Sequence, residues 1–142
     1  MESNSKTIIS IQEIINAPIE LVWKYWTTPN DIIQWNNASD DWRTSRADND
    51  LRVAGKFLYR MEAKDGSAGF DFAGEYNIVS KNKLIEYTMS DGRKVRVTFS
   101  KNENETLIVE TFEAESENSI ELQRAGWKAI LSNFKRYVET KK

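Results

Sequence analysis

The chain contains no cysteine and no histidine. The first absence excludes disulfides, thiol nucleophiles and zinc or iron–sulfur sites built on Cys. The second removes the commonest general base and the commonest transition-metal ligand. Together they exclude Ser–His and Cys–His catalysis, so any enzymatic chemistry has to run on Asp, Glu, Lys, Tyr or Arg. Proline is scarce, with two, and so is glycine, with six. No apolar run approaches the ~20 residues that a membrane span needs. Residues 1–7 are polar and lack the apolar core of a signal peptide. The net charge is −2, from 20 basic and 22 acidic side chains. That balance lacks the basic excess behind general affinity for nucleic acid or anionic membranes. The expectation is a cytoplasmic protein with no nucleic-acid partner, no membrane insertion and no cofactor.

At 142 residues the chain suits one domain, able to bury about 70% of its unfolded surface without staples. Residues 1–142 therefore read as a single domain, with 1–6 a flexible N-terminus. What is abundant is aromatic: five Trp, five Tyr and six Phe. Residues 8–15 form a β-branched run with isoleucines on both parities, which predicts a strand with a twist or bulge. Pro18 ends it and opens a first short helix, with Ile19, Val22, Trp23 and Trp26 at helical spacing. Thr28 and Pro29 start a second short helix ending at Trp35. Residues 36–50 are polar and acidic around Trp42 and read as a long loop.

From Gly55 the period becomes two. Phe57, Tyr59 and Met61 alternate with polar neighbours; so do Phe70, Phe72, Tyr76 and Ile78, then Ile85, Tyr87 and Met89, then Val95, Val97 and Phe99. Residues 106–114 make the last strand. Turn signals at Asp65-Gly66, Lys81-Asn82, Asp91-Gly92 and residues 102–104 join these into an antiparallel meander. Asn118 and Glu121 have capping-box spacing. Beyond them Ile120, Trp127, Ile130, Leu131, Phe134 and Val138 define an amphipathic helix of about 20 residues, roughly 30 Å long. The concave side of the sheet is the only apolar surface large enough to cover it. A long helix in a curled sheet cannot fill the curl evenly, so a ring-lined cavity is expected, plugged at one end by the short helices.

The order and spacing of several segments resemble one family, over residues 6–139. They are Ile15-Asn16-Ala17-Pro18 before Val22-Trp23, then Trp26-Thr27-Thr28-Pro29 and Trp35. Asp50-Leu51-Arg52-Val53-Ala54-Gly55-Lys56-Phe57 leads into the sheet, with Asp65-Gly66 at the first hairpin. Gly126-Trp127 through Leu131, Asn133-Phe134 and Tyr137 form the closing helix. The chain resembles the activator of heat-shock-protein-90 ATPase homologue family of the START-like (SRPBCC) superfamily. The resemblance implies an α+β helix-grip fold: a curved antiparallel sheet of about six strands around a long C-terminal helix, with two short helices after the first strand. Ala54 departs from the family, which usually has the first of two glycines there.

The candidate ligand-binding residues are Trp35, Trp42, Phe57, Tyr59, Met61, Phe72, Tyr87, Trp127 and Leu131. Trp42 has no apolar stripe to explain it, so it either caps a core or closes a pocket mouth. Trp127 and Phe134 sit on the helix face toward the sheet, where core and cavity wall are the same surface. The Tyr59 and Tyr87 hydroxyls are bonded to backbone or are handles for a ligand. Gly126 leaves room for a ligand or lets helix and strand approach closely. Asp40, Asp41, Asp48 and Asp50 lack the spacing of a calcium loop and read as solvated. Asp71, Glu75 and Glu110 lie in strands; alternation turns Asp71 and Glu75 outward. A carboxylate turned into a dry cavity would have a raised pKa and serve as acid or base. Arg93, Lys94 and Arg96 read as a solvated hairpin edge.

Three functions remain in play. The first is a binding or carrier protein for a hydrophobic or amphipathic small molecule, non-enzymatic, with no catalytic constellation. The second, implied by the resemblance, is a co-chaperone-like domain that stimulates a heat-shock-protein-90 type ATPase. The third is a cyclase- or hydrolase-type enzyme on the same fold. A monomer or weak homodimer is expected, because Leu58 and Ala73 leave a sheet face open.

Overall fold

In a computed structural model, which describes residues 7–141, the elements run β1 (Ile8–Ile15), α1 (Ile19–Thr27), α2 (Pro29–Trp35), β2 (Trp42–Asn49), β3 (Lys56–Ala63), β4 (Gly69–Ser80), β5 (Leu84–Met89), β6 (Lys94–Asn102), β7 (Glu105–Glu113) and α3 (Ile120–Lys141). The expected flexible segment 1–6 lies outside the described residues. The strands form one antiparallel sheet in the order β1-β7-β6-β5-β4-β3-β2. All meander neighbours are sequence neighbours, and only β1 crosses over to pair with β7. The four turns expected from sequence are present, each with a residue at positive φ: Gly66, Asn82, Gly92 and Glu103.

The sheet has seven strands rather than about six, because residues 42–49 form β2 and not a loop. The strand hides in the sequence for two reasons. A register shift between Thr44 and Arg46 breaks its period of two. Its inward positions are also polar and find polar partners: Asn36 Nδ2 donates to Thr44 Oγ1 at 3.2 Å, and Asn49 Nδ2 donates to the Thr27 carbonyl at 2.8 Å. A second shift between Tyr76 and Ile78 sets Val79 opposite Ile85, leaving Ile78 37% exposed. Of the twist or bulge anticipated in β1, the bulge is absent: its pairing runs unbroken from Ile8↔Glu113 to Ile15↔Thr106. Ile8 and Ile14 simply occupy the outer face.

Helix α3 lies across the inner face and along the β1 edge. Lys128 Nζ donates to the Gln12 carbonyl and Lys135 Nζ to the Ile14 carbonyl, while the Asn16 N–H donates to Glu139. Edge-strand groups that could template another strand are thereby occupied. The helix is capped by Ser119, whose Oγ accepts from the Leu122 N–H at 3.0 Å, not by Asn118, which bonds Glu115. Likewise the Thr28 hydroxyl donates back to the Lys24 carbonyl rather than capping α2.

Two small residues sit in each other's preferred surroundings. Ala54 has φ 67°, a left-handed conformation that costs an L-residue roughly 1 kcal/mol. This explains why the family usually carries glycine there. Gly126 lies inside α3, and a Cβ built on it meets no atom within 4 Å. Close approach of helix and strand therefore does not account for it. Both exchanges, Ala54→Gly and Gly126→Ala, are expected to stabilise the protein by about 0.5–1 kcal/mol each, read as a higher urea midpoint. Destabilisation by either exchange would contradict this reading of its backbone.

Candidate functional site: a ring-walled cavity beneath the long helix

The sheet curls, and α3 meets it at two places. Near its N-terminal end Trp127 stacks on Phe112 of β7, ring centroids 3.9 Å apart and planes at 13°. Farther along, Phe134 is fully buried against Trp26 and Trp35, at 4.9 and 4.8 Å. Trp26 and Trp35 face each other at 4.9 Å, and Trp35 Nε1 donates to the Tyr25 carbonyl at 2.9 Å. These rings from α1 and α2 plug one end, as the sequence suggests. A cavity of about 320 Å³ remains between helix and sheet.

The alternation of β3, β4 and β5 delivers the walls. Phe57, Tyr59, Met61, Phe72 and Tyr87 all line the cavity, as do Trp35 and Trp127. Phe57 is the hub, with Tyr59, Phe72, Tyr76 and Tyr87 rings within 5.6 Å of its own. Phe72 stands edge-on to Trp127 at 6.1 Å, linking sheet wall to helix wall. Two candidates lie elsewhere. Trp42 begins edge strand β2 and packs on Phe70, 6.0 Å away, outside the lining. Leu131 is fully buried in the solid core, because the helical turn that aims Trp127 and Ile130 at the cavity aims Leu131 past it.

The polar lining is sparse. Tyr59 hydrogen bonds the hydroxyl of Tyr76, which donates to Asn49 Oδ1. Burial pushes the Tyr76 phenol up to about 12 and that of Tyr59 well above its ordinary value. Tyr87 is also raised well above the ordinary value, by burial and then by the nearby Glu110 charge. At the other end Gln123 is saturated, accepting from the Glu115 N–H and donating to the Glu115 and Asn118 carbonyls. Arg93 is not a solvated edge residue. It lines the cavity with its guanidinium held by Asp91 at 2.8 Å and by the Glu113 carbonyl at 3.2 Å.

The alternation of β7 also brings in Glu110, the strand carboxylate whose facing the sequence reading leaves unassigned. Glu110 shares the parity of Ile108 and Phe112 and is 6% exposed. Asp71 and Glu75, by contrast, face outward as expected. Burial alone raises the Glu110 carboxyl to about 8. The sequence signal was available: a single acidic residue on the inward parity of an otherwise apolar strand. Among the described residues no group of acidic side chains is arranged to hold a metal ion.

The raised Glu110 value has a signed consequence for stability. The folded state keeps its proton to about pH 8, while the unfolded chain releases it near the ordinary Glu value of about 4.3. Between those values the unfolded state binds fewer protons, so stability falls as pH rises and levels off above the folded value. Glu110→Gln, similar in shape and never charged, is expected to flatten this decline and raise the Tm at about pH 8 by several degrees over wild type. Equal pH slopes in the two proteins would show that Glu110 is not held neutral.

The family model described as Activator of Hsp90 ATPase homolog 1-like protein matches residues 16–139. Among solved structures, the AHSA1-like protein of Aeromonas hydrophila is 46% identical with a TM-score of 0.89, over 94% of this chain and 93% of that one. Chr148 of Cytophaga hutchinsonii is 49% identical with a TM-score of 0.82, over 93% and 92%. NE0264 of Nitrosomonas europaea, at 17% identity and a TM-score of 0.84 over the full length of both chains, shares the fold. No curated protein matches the chain. The match over residues 16–139 and the helix-grip arrangement of sheet and α3 lead to one conclusion: the chain belongs to the Activator of Hsp90 ATPase homolog 1-like family, within the START-like superfamily.

Proposed function

We propose that the protein binds or carries a hydrophobic or amphipathic small molecule in the cavity beneath α3, and that it acts without catalysing a reaction. The observation that carries this reading is the cavity itself, about 320 Å³ walled by aromatic rings from three strands and three helices. Apolar clefts and cavities of about 300–1,000 Å³ with a few oriented polar groups are typical small-molecule sites. The polar groups fit binding better than catalysis. Most are already engaged with each other. The family description names an activator of the Hsp90 ATPase; that activity is the second reading, and the cavity is the observation that favours the first.

Covering about 300 Å² of apolar ligand surface gives roughly 7 kcal/mol before the costs of association. Those costs leave a generic apolar ligand at micromolar affinity or weaker. Trp127, Trp35 and Trp26 line the space, so tryptophan emission is expected to shift saturably on titration with members of a panel of fatty acids, aromatic compounds and sterols. Ile130→Phe puts extra ring volume into the cavity from α3 and is expected to weaken that binding about tenfold or more, with the far-UV circular dichroism unchanged. An unshifted emission across the whole panel, or full binding by Ile130→Phe, would contradict the proposal.

A further inference from the structure

Glu110 is a buried group that apolar binding leaves without a task. Its Cα partners are Ile11 on β1 and Val97 on β6, both buried. The strand cannot turn the carboxyl outward without exposing Ile108 and Phe112. Among the described residues, every other ionisable group facing this region is accounted for. On β3 and β4, Tyr59 and Tyr76 are bonded in series to Asn49. From the β5–β6 turn, Arg93 is held by Asp91 and the Glu113 carbonyl. Glu115, after β7, accepts from the Glu117 and Asn118 N–H groups. On β1, Glu13 turns to Lys128 and Ser132 of α3. None of them is a counter-ion or hydrogen-bond partner for Glu110, and β5 offers only the Tyr87 hydroxyl, which is likewise without a hydrogen bond.

A carboxyl buried among rings with no cation beside it keeps its proton. It then has an O–H to donate, and the Tyr87 hydroxyl lines the same cavity. A hydrocarbon filling this space would leave these donors unmet, which is costly, whereas an acceptor oxygen placed there meets them. We propose that the Glu110 carboxyl, with the Tyr87 hydroxyl on the wall of the same cavity, receives the carbonyl oxygen of an uncharged, otherwise apolar ligand, a ketone or amide. The pair thereby selects such a ligand against hydrocarbons and ammonium compounds of the same shape. This rests on the cavity being a binding site and adds the chemical class of its occupant.

The test uses the full-length protein and three matched probes followed by calorimetry: acetylnaphthalene, isopropylnaphthalene and naphthylethylamine, each substituted at the same ring position. At about pH 6 the acetyl probe is expected to bind about five- to tenfold tighter than the isopropyl probe, the yield of one well-made hydrogen bond. The preference shrinks at about pH 10, where Glu110, raised to about 8, has lost its proton. Glu110→Gln keeps a donor at every pH, so it retains the preference and loses its pH dependence. Glu110→Leu abolishes the preference while still binding the isopropyl probe. Equal binding of acetyl and isopropyl probes overturns this inference and leaves the cavity reading standing. So does tightest binding of the amine, lost in Glu110→Gln, which would make Glu110 an anionic site. Binding of none of the three overturns the cavity reading itself.

Discussion

The stacked pair Trp127 and Phe112 fixes the distance between α3 and the sheet. An aliphatic pair at this position would let the helix settle onto β7. Two indole- and phenyl-sized rings lying flat on one another make a spacer that cannot be compressed. At the other end Phe134, wedged against Trp26 and Trp35, does the same. The helix is thus propped at two points over a sheet that bends away from it, and the space between the props stays open. The cavity is a product of ring geometry and sheet curl, and its walls are the same aromatic side chains that make the fold cohere.

Much of this was legible in the chain. A change of period from helical to two and back, with turn residues at four places, specifies the meander and its covering helix. Phe57, Tyr59, Met61, Phe72 and Tyr87 could be grouped on one face because strict alternation leaves them no other. Where alternation fails, the reading fails with it. β2 carries Thr44 and Asn49 inward instead of apolar residues, and its irregularity at Ser45 erases the remaining period. A polar strand of this kind is held by specific hydrogen bonds to Asn36 and Thr27 rather than by burial, and no hydropathy pattern records such bonds. Trp42 was misplaced for the same reason.

Glu110 and Leu131 illustrate the opposite error. Both sit at positions whose facing was computable, one from strand parity and one from the helical turn. Glu110 is named among the strand carboxylates, but its facing stays unassigned when β7 is read for its apolar residues, although an acid at an inward position is the more informative signal. Leu131 belongs to the apolar stripe of α3, but a stripe about 100° wide covers both the core and the cavity, and only the position of the sheet decides which. The polar feature of the site was therefore the part that a hydrophobic reading of the sequence was least able to see.

The central claim is that the interior is hollow between the two aromatic props. Crystallography of the protein under xenon pressure tests it most directly, because xenon enters preformed apolar voids and makes no demand on polar groups. Xenon density is expected between Tyr87, Val97 and Ile130, with Trp127 still stacked on Phe112. An interior whose side chains touch across that space, with no xenon site in it, would contradict the account.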